Sequence, residues 1–308
     1  MKLNFALIAE ESTGASAYQT ITAAGHRLVA VVTSRKAAAG FGISLRKQAE
    51  RDSIPIYSPK LVKDATFAQE LRSLDVDIVL NVYSMGQICR EVIESARWGT
   101  FNLHPGPLPE NAGRNPVSWA IFEGHREHGV TLHHMAVEFD AGAIAFEERF
   151  PLNGDETAFS LSALCSKIGI DLIRKLCQVV AADPHDIPAI QQDFTKRKYH
   201  GNDMPMEGRI KWTKPAKQVC AFVRAYDFLP FRSHWGHPRA CLDGQEIQIA
   251  RAFDTDQLCD APPGTVTKSS TGDVLVACSD RWLKVDYLIS QESRVDAAEI
   301  LQPGQRFQ

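Results

Sequence analysis

Through the first hundred residues, apolar runs rich in β-branched side chains alternate with amphipathic stretches, and this alternation restricts the chain to a mostly parallel sheet covered by helices. Leu3 to Ala9, Leu28 to Thr33, Pro55 to Tyr57, Asp77 to Val82 and Thr100 to Leu103 have the composition of strands. Between them, Ala15 to Ala24, Ile43 to Arg51 and Ala65 to Ser73 have the spacing of helices, and Gly25 stands where a helix stop is wanted. The expected fold class is α/β, a doubly wound, mostly parallel, Rossmann-like sheet whose ligands lie beyond the carboxyl ends of the strands.

The turn after the first strand disfavours two common ligands. It carries no G-x-G-x-x-G, and Glu10-Glu11-Ser12-Thr13-Gly14 puts acids where a dinucleotide would place its pyrophosphate. The G-x-x-x-x-G-K-[ST] phosphate loop is missing as well. Further on, a hairpin is predicted over Val130 to Phe150, turning at Asp140-Ala141-Gly142, and then a long amphipathic helix from Glu156 to Val180. Ala182 to Pro188 breaks that helix, and the polar stretch to Gly208 has the character of a surface linker. Ala216 to Ala225 is predicted helical, and short strands separated by Gly244, Pro262-Pro263-Gly264 and Thr271-Gly272-Asp273 follow from Ala240. The expected organisation is a first domain over 1–182, a linker over 183–207 and a smaller β-rich domain over 208–308.

Composition narrows the partners. A formal charge of −3 gives no sign of the broad basic surface on which phosphate binding rests, so nucleic acid is an unfavoured partner. The seven cysteines stand singly, without C-x-x-C or zinc-ligand spacing, as free thiols in a reducing compartment do. Met1 to Glu10 is neither a signal peptide nor a spanning helix, which leads to the expectation of a cytoplasmic protein without membrane attachment. A homo-oligomer is compatible with all of this.

The stretch Gly99-Thr100-Phe101-Asn102-Leu103-His104-Pro105 ends a strand in Asn-x-His before a proline-rich turn. Residues two apart in a strand point the same way, so Asn102 and His104 offer an amide donor and an imidazole side by side. Downstream, Asp140 opens a glycine-containing turn; a carboxylate near an imidazole raises its pKa and orients it for acid–base work. Singly, each residue has a structural explanation at a strand end or turn. Two other histidine pairs carry less. His125-x-x-His128 is bracketed by Gly124 and Gly129 as an exposed connection would be, and His133-His134 on a strand turns its rings to opposite faces.

Asn102-Leu103-His104-Pro105 with Leu108-Pro109, Gly129-Val130-Thr131-Leu132-His133-His134-Met135, and Phe139-Asp140-Ala141-Gly142-Ala143-Ile144 together resemble, in order and spacing, three blocks of the folate-dependent formyltransferases. The resemblance extends more weakly over Met1 to Ala182, and is nearest to methionyl-tRNA formyltransferases and to the domains that formylate UDP-aminoarabinose and other amino sugars. Gly208 to Trp212 and Val223 to Ala225 resemble the start of the family's carboxyl-terminal domain. The resemblance implies that His104 is the general acid–base residue, Asn102 steadies the oxyanion and Asp140 tunes His104. It implies 10-formyltetrahydrofolate as formyl donor and no metal. It also implies a pterin lying against Met85, Gly86, Gln87 and Ile88 and against Ala136, Val137, Glu138, Phe139 and Asp140, with Arg114 nearby.

The chain departs from the family at Glu110 to Asn115, where relatives carry a basic or aromatic pair before Arg-Gly, and at Phe228 to Pro238, an aromatic and basic run in place of a Pro-Tyr-Pro-Gly-Ala-like turn. That run either shapes an unusual acceptor site or packs as a turn. Residues 208–308 hold 13 Lys and Arg against 12 Asp and Glu, a net of +1. Transfer RNA requires more phosphate contacts than that balance provides, so a small-molecule amine is the expected acceptor: an amino sugar nucleotide, or an amino acid-like or carrier-tethered amine. Methionyl-tRNA formylation, hydrolysis of 10-formyltetrahydrofolate, and folate binding without catalysis are the alternatives.

Overall fold

The computed structural model describes residues 1–34, 44–84, 86–290 and 293–308. Its contacts divide the chain into two compact units, one of residues 1–114, 129–150 and 164–200, the other of residues 115–128, 151–163 and 201–308.

The first unit realises the α/β alternation. Strands β1 (Asn4–Ala9), β2 (Arg27–Val32), β3 (Ile56–Tyr57), β4 (Ile78–Val82) and β5 (Gly99–His104) form the parallel part of the sheet, and helices α1 (Glu11–Ala23), α2 (Leu45–Arg51), α3 (Phe67–Ser73) and α4 (Arg90–Ile93) lie between them in sequence. Parallel strands covered on both faces must be apolar nearly throughout, and β4 is buried at all five of its positions. After the short β6 (Ala112–Gly113) and α5 (Pro116–Glu123), β7 (Glu127–His134) joins antiparallel to β5, and β8 (Ile144–Pro151) completes the spatial order β3-β2-β1-β4-β5-β7-β8. One face packs a core around Ile8, Val32, Phe67, Leu71 and Val79. At the turn after β1, the Glu10 carboxylate accepts from the Ser34 backbone N–H at 2.8 Å and from the Thr33 and Ser34 hydroxyls, so the acid expected to repel a pyrophosphate is itself a strut between strand ends.

Helix α6 (Ala158–Ala182) follows, as the amphipathic spacing predicts. The predicted linker is overturned over most of its length. Residues up to His200 belong to the first unit: Ile190 bridges Ile144, and β9 (Tyr199–His200) pairs parallel with β6. The polar composition that suggested a free surface path serves instead to satisfy backbone groups of the loops described below.

The second unit is β-rich. Strands β10 (Arg239–Leu242), β11 (Gln245–Leu258), β12 (Val266–Lys268), β13 (Val274–Ala277), β14 (Arg281–Ser290) and β15 (Ser293–Asp296) form one antiparallel sheet in the order β10-β11-β14-β13-β12, with β15 on β14. Helix α7 (Ala216–Tyr226) packs on α5 and β11, and the short α8 (Ala297–Ile300) on β14. Residues 115–128 thus belong to this unit although they precede the predicted boundary. The run Phe228 to Pro238 contributes Trp235 to an aromatic cluster with Trp119 and Tyr226, and Phe231 lies 5.5 Å from Phe159. Within its unit Trp235 is half-buried and Pro238 buried, while Pro230, Phe231, Arg232, His234 and Gly236 are exposed. No described helix is long and apolar enough to cross a membrane.

Candidate active site

Strand alternation delivers the first two residues as expected. Asn102 and His104 sit two apart at the end of β5, opposite His133 and Thr131 of β7. Asp140 comes from the connection between β7 and β8, in the left-handed region at φ 53°, which an aspartate tolerates better than most residues. The loop closes tightly there: a Cβ on Gly142 would stand 1.7 Å from the His134 carbonyl oxygen, so only glycine fits.

These three side chains meet. The Asp140 Oδ2 lies 3.7 Å from His104 Nδ1 and accepts the Gly113 backbone N–H at 2.8 Å, while its Oδ1 faces Asn102 Nδ2 at 3.4 Å. Gly113 holds that N–H in place from a position where φ is +95° and where a Cβ would stand 2.1 Å from the His200 carbonyl oxygen. His104 is 4% exposed, and its Nε2 lies 2.8 Å from the Asn111 carbonyl. A carbonyl can only accept, so the neutral ring carries its proton on Nε2 and presents a bare Nδ1 to the carboxylate side.

The electrostatics correct one expectation. Asp140 does push the His104 pKa up, but burial outweighs it and the net displacement is downward. The imidazole therefore rests neutral, a base rather than an acid. For Asp140, burial works to raise the pKa, yet the charges that His104 and His133 carry when protonated, with the Gly113 N–H, prevail and hold the carboxyl well below the usual carboxylate range. The resting pair is an ionised carboxylate beside a neutral imidazole.

Three further residues belong to the site without having been expected there. His133 places Nε2 3.0 Å from Asn102 Nδ2 and 3.5 Å from Asp140 Oδ1; period-two alternation implied that it faces away from His134, but only the β5–β7 register shows that it faces Asn102. Its neighbour His134 turns the other way, with Nε2 2.8 Å from the Pro188 carbonyl. From the predicted linker, Gln192 donates to the carbonyls of Asp140 and Gly142 at 2.8 and 2.6 Å, and Arg197 donates to those of Phe139 and Asp140 at 2.7 and 3.4 Å. Arg197 also lies over the rings of Phe194 and Tyr199. No local motif in the sequence announces that clamp.

The residues expected to hold the pterin divide. Met85 lies outside the described residues. Gly86 is half-buried and Gln87 exposed, while Ile88 is 4% exposed and packs its apolar side chain in the core, which leaves only its backbone to meet a ligand. Val137 and Phe139 are 48% and 45% exposed, with Ala136 half-buried and Glu138 exposed, so this loop is open to a ligand. A cavity of about 230 Å³ is lined by Glu138, Phe139, Arg197 and Tyr199. The Arg114 side chain is exposed, and its backbone N–H is tied to the His200 carbonyl. His125 follows α5, bonded to Glu123, whereas His128 is fully buried in β7 rather than in an exposed connection, because β7 begins earlier than the hairpin was predicted to. Among the described residues, no group of three or more His, Cys, Asp or Glu side chains is placed to hold a metal ion. The seven cysteines are free.

An amide donor, a neutral imidazole and an ionised carboxylate gathered at the carboxyl edge of a doubly wound sheet define a protein equipped for acid–base chemistry on a carbonyl. Comparison with known proteins makes the class specific. Residues 1–173 match the formyl transferase family model, and residues 204–303 match the model of the formyl transferase C-terminal domain. The chain belongs to the formyl transferase family. Among solved structures it is similar to an N-formyltransferase from Helicobacter canadensis in complex with folinic acid and dTDP-3-aminofucose, with a TM-score of 0.71 and 17% identity over 92% of this chain and 99% of that one. It is also similar to a 4-N formyltransferase from Francisella tularensis, with a TM-score of 0.62 and 20% identity over 75% and 90% of the two chains. A third similar structure is HypX from Aquifex aeolicus in complex with tetrahydrofolic acid, with a TM-score of 0.67 and 18% identity over 98% of this chain and 47% of that one.

Proposed function

We propose that the chain transfers the formyl group of 10-formyltetrahydrofolate to the amine of a small molecule, with His104 as acid–base residue, Asn102 as oxyanion donor and Asp140 as the carboxylate that steadies the imidazolium. The observation that carries this reading is the convergence of the three side chains, with Asp140 3.7 Å from the bare Nδ1 of His104 and 3.4 Å from the Asn102 amide nitrogen. As the amine nitrogen bonds to the formyl carbon, the carbonyl oxygen gains charge and takes over the Asn102 N–H that otherwise points at Asp140 across the longer contact. Such a donor contributes about a hundred- to a thousandfold in rate. His104 Nδ1 receives the proton released by the attacking amine and returns it to the folate nitrogen as the carbon–nitrogen bond breaks. Between those events the ring is an imidazolium in a buried place, and only the neighbouring carboxylate makes that charge tolerable.

For the donor, the exposed loop Ala136 to Phe139 and the turn at Gly86 and Gln87 supply backbone groups and open surface for a pterin. For the acceptor, the net charge of +1 over residues 208–308 favours a small amine over transfer RNA. We rank amino sugar nucleotides ahead of amino acid-like and carrier-tethered amines, a reading supported by the dTDP-3-aminofucose bound in the Helicobacter canadensis structure. The test is a panel of amines incubated with 10-formyltetrahydrofolate and read by mass spectrometry for the gain of one formyl unit. Transfer to a sugar nucleotide that disappears in His104→Ala supports the reading. Formate release indifferent to every amine would make the protein a hydrolase, transfer to charged initiator tRNA alone would make it a methionyl-tRNA formyltransferase, and folate binding without turnover would make it a binding module.

A further inference from the structure

One row of polar side chains runs through three adjacent strands of the first unit. Asn81 of β4 is the registered neighbour of Asn102 of β5, and Asn102 that of His133 of β7. Asn81 Nδ2 donates to Asn102 Oδ1 at 2.7 Å, Asn102 Nδ2 meets His133 Nε2 at 3.0 Å, and His133 Nδ1 lies 2.8 Å from the His134 carbonyl. That carbonyl can only accept, so His133 carries its proton on Nδ1 and receives the Asn102 amide on Nε2. The donors all run in one direction, from Asn81 to His134.

Turning the Asn102 carboxamide over would break this row at His133, and at Asn81 as well unless the Asn81 amide turned with it. Its NH2 would face the NH2 of Asn81, and its oxygen would face the bare Nε2 of His133. The bond to His133 would be lost outright, in a site where buried polar groups are costly to leave unmade, and the bond to Asn81 would survive only if a second buried amide turned too. Asn81 itself is 4% exposed in the otherwise apolar segment Ile78–Val82, and its Oδ1 has no partner among the described residues. A polar side chain in such a position is a liability in folding terms. Among the described residues its side chain bonds only to Asn102, the residue that faces the reacting carbonyl.

We infer that Asn81 is a positioning residue which, from the side opposite His133, helps hold the Asn102 carboxamide in the orientation that turns an N–H toward Asp140 and the developing oxyanion. The inference rests on the reading of Asn102 as the oxyanion donor. It adds a residue behind the expected trio whose only action is through Asn102.

Asn81→Asp keeps the shape and replaces the donor with an acceptor, so the Asn102 amide turns over and presents oxygen to the site. The expected loss in kcat is about a hundredfold, that of an oxyanion donor, with KM for 10-formyltetrahydrofolate within about twofold. Asn81→Leu removes the bond without adding charge and leaves the amide free to turn, for a loss of about tenfold. If circular dichroism shows Asn81→Asp unfolded, Asn81→Leu carries the test alone. In an Asn102→Ala background neither change is expected to add more than about twofold, because the group it acts through is gone. Unchanged kcat in the folded variants, or losses that multiply in the Asn102→Ala background, would overturn the inference.

A second measurement needs no acceptor. The N–H···N bond from Asn102 to His133 transmits a scalar coupling between the two ¹⁵N nuclei, which is expected in the parent protein, lost in Asn81→Asp and weakened in Asn81→Leu. Persistence at full size in both variants would overturn the role of Asn81. Full activity in Asn102→Ala would instead defeat the proposed function and leave the coupling to decide the orientation.

Discussion

Asn102 and Trp235 each lie in a stretch that the sequence singles out, one as a match to its family and the other as a departure, and the clusters around them are held by opposite kinds of force. Around Trp235 in the second unit, the rings of Trp119, Phe122, Phe222 and Tyr226 meet tilted or edge to face at centroid separations of 4.9–6.0 Å. Such contacts depend on volume and tolerate any side chain that fills the same space. Around Asn102 in the first unit, every contact has a direction, and exchanging one donor for an acceptor of the same shape reverses its neighbours. A shape-conserving substitution should therefore be mild in the aromatic cluster and severe in the polar one. A truncating substitution in the aromatic cluster should cost stability rather than chemistry.

The largest expected effect lies at His104. His104→Ala should lower kcat by about a thousandfold, within the range of a lost acid–base residue, while the melting midpoint stays within a few degrees of the parent. Retention of more than about a tenth of the activity would remove His104 from the reaction and reduce the polar cluster to a structural one. In the other cluster, Trp235→Ala should destabilise by about 2 kcal/mol, discounted from the value for a fully buried tryptophan because Trp235 is only half-buried. That is a change of about thirtyfold in the folding equilibrium, measured by urea denaturation, while Trp235→Phe should cost less than half as much. If Trp235→Ala kept its stability and instead raised KM for the acceptor, the run Phe228 to Pro238 would be a binding surface and the contrast between the two clusters would fail.

The two clusters were also unequally legible. Alternation placed Asn102 and His104 on one face of β5, and a glycine-bearing turn placed Asp140, because these follow from local geometry. His133 required the β5–β7 register, which no local pattern in this sequence fixes. Gln192 and Arg197 required knowing that a polar, proline-broken stretch folds back onto the Asp140 turn; such stretches are commonly solvated, and nothing in Gln192 to Arg197 distinguishes a clamp from a linker. Asn81 was concealed by its setting, a single amide in an apolar strand. The aromatic run was conspicuous, but its packing depended on α5, which lies more than a hundred residues earlier in the chain. The sign of the His104 displacement was missed because the sequence shows the nearby carboxylate but not how completely the ring is buried.

That displacement provides the finest test, and two substitutions pull it in opposite directions. In the parent protein, activity should fall in acid as His104 gains its proton, with a midpoint below the ordinary histidine value because burial disfavours the imidazolium. Asp140 raises the His104 pKa, so in Asp140→Asn the residual activity should retain its acid limb at a lower pH than in the parent. Arg197 is the reverse case: its guanidinium lowers the His104 pKa, and its removal in Arg197→Met should move the limb to higher pH. The same change releases the carbonyls of Phe139 and Asp140 and loosens the turn that carries the carboxylate, which should lower kcat by about tenfold. A merely structural Arg197 would lower activity without moving the limb. If both substitutions shifted the pH profile of kcat/KM in the same direction, the group titrating in acid would not be His104, and the polar cluster would lack the base on which the proposed transfer depends.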